Sequence, residues 1–122
     1  MRKSYESVEN YLETILILSE RLTNVRAIDI ANELSFSRAS VSISLKKLLK
    51  SNYILVDENS FITLTGAGRE IAENIHNRHT ILAKFLTKLG VDETVASDDA
   101  CKIEHIISEE SFIKIREFIA EN

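Results

Sequence analysis

The chain of 122 residues is long enough for one domain or two small ones; 44% hydrophobic content can fill a core, and 28% charged side chains keep the surface hydrated. A lone cysteine excludes an internal disulfide and points to a reducing compartment. The apolar runs are too short to span a membrane, and Met1-Arg2-Lys3-Ser4 leads into amphipathic sequence with no signal-peptide pattern, so a cytoplasmic location without a membrane partner is expected. The net charge of −4 argues against non-specific nucleic-acid binding, but the charge is unevenly spread. Residues 1–56 hold eight basic and six acidic side chains, whereas residues 57–122 hold seven and thirteen. That split predicts an anionic partner for the first half and cationic partners for the second.

Proline is absent and glycine is scarce, which favours long helices. The first predicted helix covers 5–21, with Val8, Tyr11, Leu12, Ile15, Leu16, Leu18 and Leu22 as its apolar stripe and Ser4 or Ser7 as its cap. Asn10 and Glu13 fall three apart on one face, a spacing that ordinary exposed helix residues share. Two short helices follow. Residues 26–34 place Ala27, Ile30, Ala31 and Leu34 at helical spacing; after the link Ser35-Phe36, Ser37 caps a helix through Lys50, with Val41, Leu45, Leu48 and Leu49 inward. A small Ala at the close crossing and so short a link make this a helix-turn-helix pattern.

The outward face of the second helix carries Ser37, Arg38, Ser40, Ser42, Ser44, Lys46, Lys47 and Lys50, and no acidic residue occurs between 37 and 50. Small hydroxyls that approach a backbone closely and cations of one sign suit phosphates and base edges. A merely solvated face has no reason to be one-signed in an acidic chain. The runs 53–56 and 61–65 are rich in β-branched and aromatic residues, and Asp57-Glu58-Asn59-Ser60 joins them, predicting a hairpin. Helix-turn-helix plus hairpin is a winged helix. Asp57 and Glu58 make its tip a poor phosphate clamp, leaving Asn59 and Ser60 as its contacts.

A long helix is predicted over 66–88, and its apolar second half, Ile81 to Leu89, reads as a dimerisation face or as packing for residues 95–121. Gly90 ends it as a left-handed cap. Further helices are expected over 93–107 and, after Ser108-Glu109-Glu110, over 109–120. The fold class expected is mainly α: an N-terminal winged helix-turn-helix with a small β-hairpin wing over residues 1–65, then a helical dimerisation domain over 66–122.

Within the 93–107 helix, Cys101, Glu104 and His105 lie at i, i+3 and i+4, one face on which thiolate, carboxylate and imidazole converge as half of a transition-metal site. A buried cysteine beside an exposed Glu-His pair has the same spacing. Asn10, Glu13, His76 and His79 complete the candidate ligands, provided folding brings helix 5–21 against the helices over 66–88 and 93–107.

These segments together resemble the diphtheria toxin repressor and manganese transport regulator family of metal-dependent repressors. The resemblance rests on Glu9-Asn10-Tyr11-Leu12-Glu13, Asp29-Ile30-Ala31, Ala39-Ser40-Val41-Ser42, Ile62-Thr63-Leu64-Thr65-Gly66-Ala67-Gly68, Arg78-His79 with Phe85-Leu86, and Asp99-Ala100-Cys101-Lys102-Ile103-Glu104-His105-Ile106-Ile107-Ser108. It implies a homodimer that binds a palindromic operator on double-stranded DNA when loaded with divalent metal, and so controls iron or manganese homeostasis.

Carried over by position, Glu104 and His105 match the family's constant ligands. Cys101 matches a position that is Cys in iron-type and Glu in manganese-type members, and Asn10 stands where those types use Met and Asp. Glu13 and His79 match manganese-type ligands of a second ion. Ala83 and Ser97 depart from the iron-type ancillary site. The sequence stops short of the SH3-like third domain of iron-type members, implying two-domain architecture with an iron-type cysteine. Base readout is expected from Ser37, Ala39, Ser40 and Ser42, and phosphate contacts from Arg26, Arg38, Lys46 and Lys47. Ile43 replaces a Gln that faces DNA in iron-type members. Thiolate, imidazole, carboxylate and amide donors favour Fe²⁺, with Mn²⁺ second and Zn²⁺, Co²⁺ or Ni²⁺ able to bind in vitro. The alternative is a winged-helix regulator that uses Cys101 as a redox switch. An enzyme is not expected: neither His-Glu-x-x-His spacing nor a nucleophile arrangement occurs.

Overall fold

Every position from Tyr11 to Leu16 is buried, so the first helix is enclosed on all sides there rather than amphipathic. The computed structural model describes residues 2–121, with side chains from Ser7 onward. This helix, α1, runs Arg2–Arg21, which places Ser4 and Ser7 inside it rather than at its cap. Leu22, expected on the apolar stripe, lies beyond the helix end and is 39% exposed. Around α1 are α2 (Ala27–Leu34), α3 (Arg38–Lys50), and the antiparallel pair β1 (Ile54–Val56) and β2 (Ile62–Leu64), in register Ile54 with Leu64 and Val56 with Ile62. The helices α4 (Gly66–Lys88), α5 (Glu93–Ile103) and α6 (Glu109–Glu121) follow, so the chain is mainly helical, with the expected winged helix-turn-helix first. It divides into two compact units, residues 3–73 and 74–122, within α4.

The core of the first unit draws Leu12 and Ile15 from α1, Ile30 from α2, Val41 from α3 and Ile54 from β1, all fully buried. Each such aliphatic contributes about 1.5–3 kcal/mol relative to an exposed one. Ala31 is the small residue of α2 that the helix pair needs at its centre, and it is 5% exposed. Ser35, at φ 57°, turns the chain after α2, and the amide of Phe36 bonds the Ala31 carbonyl at 3.1 Å. Ser37 caps α3 as expected, its Oγ accepting from the Ser40 amide at 3.1 Å. Leu49, expected inward, faces out at 43% exposure; Val41, Leu45 and Leu48 alone form the buried stripe of α3.

A feature absent from the sequence reading is a bridge between Val25 and Ile62, whose amide donates to the Val25 carbonyl at 2.8 Å. The linker before α2 thereby joins the wing. Asp57 organises the wing turn: its Oδ1 accepts from the amides of Asn59 and Phe61 at 2.8 and 2.9 Å. Gly68 has a steric reason, since a Cβ there would stand 2.0 Å from the Tyr53 carbonyl oxygen.

In the second unit, Leu82, Ala100 and Phe112 form the buried core, flanked by Ile81, Ala83, Ile103, Ile107 and Ile115. Gly90 adopts φ 104° as α4 ends, and the Val91 amide returns to the Leu86 carbonyl at 3.0 Å, the left-handed closure its position predicted. Asp92 caps α5, and Ser108 accepts from the Ser111 amide at the start of α6. The main correction is to α5, which ends at Ile103 instead of 107. Glu104 keeps helical angles as its C-cap, but His105 falls in the turn that follows. The Ile106 amide bonds the Ile103 carbonyl at 3.0 Å, tightening the chain where the helix would otherwise continue.

Candidate metal centre and nucleic-acid interface

Ser97, Cys101 and Glu104 lie at i, i+4 and i+7 along α5 and its cap, so they share a face. His79 of α4 meets that face. Its Nδ1 is 3.2 Å from Glu104 Oε1 and its Nε2 is 3.4 Å from Ser97 Oγ. One donor atom each from His79, Cys101 and Glu104 lies within 4.8 Å of the other two. The burial is graded: Cys101 is exposed, the His79 side chain is 22% exposed, and Glu104 is fully buried.

The electrostatics of this cluster call for a cation. Glu104 Oε2 is buried with no hydrogen-bond partner among the described residues. A buried acceptor left unsatisfied costs about 1–3 kcal/mol, more when it is charged. Hydrogen bonding to Cys101, then to Glu104, raises the His79 pKa from 6.5 to about 10, against the opposing effect of burial. These two contacts thus favour a proton on the ring. Sulfur, nitrogen and oxygen donors in one cluster, with an unsatisfied buried carboxylate oxygen, fit a divalent transition metal.

Of the other candidate ligands, His105 is 9% exposed in the turn after α5, and its ring is not among the three convergent groups. His76, one turn before His79 on α4, is likewise not one of the three. Asn10 and Glu13 lie on α1 in the first unit, Glu13 only 6% exposed and Asn10 half-buried with its carbonyl accepting from Thr14 Oγ1. Two residues outside the ligand reading stand close to the cluster. Ser97 is one helical turn before Cys101, a spacing visible in the sequence. Arg78 directly precedes His79 and bonds the backbone carbonyls of Glu104 and Ile107; nothing in the sequence pattern pairs it with that turn.

On the first unit, Ser37, Arg38, Ala39, Ser40, Ser42, Lys46 and Lys47 are all exposed, and Ala39, Ser42, Ile43 and Lys46 form one outward row on α3. Ile43 is 57% exposed in that row, the one large apolar side chain among hydroxyls and cations. Arg26 stands over the Phe61 ring at 4.7 Å, which ties the start of α2 to the wing. An exposed helix face with cations of one sign and small hydroxyls is suited to the phosphates and groove edges of a duplex.

Two family models match. The iron dependent repressor N-terminal DNA binding domain matches residues 3–60, and the iron dependent repressor metal binding and dimerisation domain matches residues 65–121. A protein of Methanocaldococcus jannaschii described as an uncharacterized HTH-type transcriptional regulator is 34% identical over 116 residues, 93% of each chain. The solved manganese regulator SloR is similar with a TM-score of 0.82 at 28% identity, over 94% of this chain and 54% of its own. A manganese-dependent transcriptional repressor solved with manganese gives 0.84 at 27% identity, over 93% and 52%. The chain therefore spans about half the length of these solved regulators. No helix is long and apolar enough to cross a membrane among the described residues.

Proposed function

The chain belongs to the iron-dependent repressor family, a family of transcriptional regulators and not of enzymes, and from that premise we propose that it represses transcription when loaded with a divalent metal. It binds a palindromic operator as a homodimer in the cytoplasm. The observation that carries this reading is the cluster of His79, Cys101 and Glu104 with its unsatisfied carboxylate oxygen, in a chain whose first unit presents the basic, hydroxyl-rich face of α3.

His79, Cys101, Glu104 and His105 would hold the ion. Bound metal supplies the positive charge that neutralises this donor set. The thiolate and imidazole favour Fe²⁺ over Mn²⁺, which stands at the weak end of the affinity order and prefers oxygen. On α3, Ser37, Ala39, Ser40 and Ser42 would approach base edges, while Arg26, Arg38, Lys46 and Lys47 would neutralise phosphates. Leu89, Val95, Ile106 and Phe118 in the second unit are at least 48% exposed, apolar surface that suits a second copy. The test is anaerobic operator binding titrated with Fe²⁺, Mn²⁺ and Zn²⁺ in turn. Binding that strengthens with one of these metals supports the proposal; operator binding by the reduced protein that survives chelation would sink it.

The exposure of Cys101 beside a protonated His79 favours a second reading, a regulator whose thiol responds to oxidants instead of metal. Chelation separates the two, because the redox reading leaves DNA binding unchanged by it.

A further inference from the structure

Between the end of α5 at Ile103 and the start of α6 at Glu109 the chain bends, and the carbonyls of residues 104–107 in that link lie outside both helical ladders. One side chain satisfies two of them. Arg78 Nη1 donates to the Glu104 carbonyl at 3.1 Å and to the Ile107 carbonyl at 3.0 Å. Its Nη2 reaches Glu109 Oε2 at 3.3 Å, and its guanidinium lies 5.1 Å from the centre of the Phe112 ring. The Arg78 side chain is only 17% exposed, whereas Glu109 is 71% exposed, so the carbonyl and ring contacts are the enclosed ones.

We propose that Arg78 is a positioning residue for the metal site: by bonding the Glu104 and Ile107 carbonyls it fixes the turn from which the Glu104 carboxylate meets His79 and Cys101. The inference rests on the metal-binding reading above. Glu104 is fully buried, yet it sits at a helix end, where a backbone is least constrained. Its side-chain direction follows the backbone angles of that one residue. Arg78 and His79 are adjacent on α4, so one element supplies both the ring that meets the carboxylate and the guanidinium that anchors its backbone. Groups that orient ligands without touching the ion typically change metal affinity by about 10- to 100-fold when replaced.

Simple electrostatics predicts the opposite sign, which makes the test sharp. A guanidinium beside a cation site repels the cation, so removing it should tighten metal binding if charge were its only influence. Cobalt titration of the full chain under reducing conditions reads both affinity and ligand set, through the thiolate-to-cobalt absorption band. Arg78→Gln is expected to raise the cobalt Kd by about 10-fold or more and to alter that band. Glu109→Gln, which removes only the exposed partner of Arg78, is expected to leave both unchanged.

A lowered melting temperature with native Kd and native band would assign Arg78 to stability alone and overturn the proposal. Tighter cobalt binding by Arg78→Gln would overturn it in favour of plain repulsion. Should Arg78→Gln fail to fold, Arg78→Met decides, since it keeps the aliphatic stem and offers the carbonyls no donor; native affinity in that variant overturns the carbonyl-anchoring role. Absence of the thiolate band in the unaltered chain is a different failure and overturns the metal-site reading itself.

Discussion

His79 Nδ1 lies 3.2 Å from Glu104 Oε1, while the other oxygen of the same buried carboxylate has no hydrogen-bond partner among the described residues. One half of the carboxylate is engaged and the other remains a strong acceptor in an environment closed to water. Glu104→Ala is therefore expected to abolish metal-stimulated DNA binding, and His105→Ala to do the same, with the dimer intact. Sedimentation and operator-binding assays with and without metal check this; a metal response retained by Glu104→Ala would remove that residue from the ligand set.

The raised pKa of His79 gives a pH dependence with a defined sign. A group whose folded pKa exceeds its unfolded value stabilises the fold fully below the unfolded value, 6.5, and loses that contribution as the pH climbs through about 10. In chelated protein, stability should decline over that window, and His79→Gln should flatten the decline. If His79 is a ligand, metal would have to displace the ring proton, so loading at neutral pH should release protons into a weakly buffered solution and strengthen as pH rises. Loading by the native chain with no proton release contradicts His79 as a ligand.

As a ligand, Cys101 would set the softness of the donor set. Cys101→Glu exchanges a thiolate for a carboxylate at an exposed position and is expected to shift metal preference towards Mn²⁺ without unfolding the chain. Fe²⁺ and Mn²⁺ titrations of both proteins decide it, and unchanged relative responses would count against the thiolate as ligand.

On the proposed reading, the exposed face of α3 would separate affinity from specificity. Lys46→Ala and Lys47→Ala should each lower the salt slope of DNA binding by about one unit, across all sequences. Ile43→Gln should instead change the preferred bases, because an amide reads hydrogen-bonding edges that an isoleucine cannot. Selection from random duplexes by the two proteins checks this; identical preferences would place Ile43 outside the read-out surface.

Ser37→Ala removes the side-chain acceptor for the Ser40 amide and leaves that amide to solvent. Urea unfolding should show a loss of about 0.5–2 kcal/mol. No loss would mean that water replaces the cap at no cost.

Much of this fold is legible because its signals are local. Ser37 and Gly90 announce helix ends by their own chemistry, and the Ala31 and Leu34 spacing announces α2. The misreadings are non-local. Residues 104–107 keep the apolar pattern of a helix, with Ile106 and Ile107, yet α5 stops at Ile103, and the carbonyls at 104 and 107 are met by Arg78, 26 residues away or more. Nothing near Val25 indicates that it will pair with Ile62. The i, i+3 spacing of Cys101 and Glu104 is visible as a shared face, but not the burial that leaves Glu104 Oε2 unpartnered, which depends on how α4 packs against α5. The position of His105 follows from the same early stop: one residue past the cap, the helical i+4 relation to Cys101 no longer fixes where its ring goes.

Arg26 resting on the Phe61 ring has a consequence in entropy. An arginine side chain held in one orientation gives up rotamer freedom worth as much as about 1.5–2 kcal/mol. Here an uncharged ring one wing away has already restricted that freedom before any phosphate arrives. Phe61→Leu would then weaken anion binding at Arg26 while deleting no charge, and the salt slope would stay where it was.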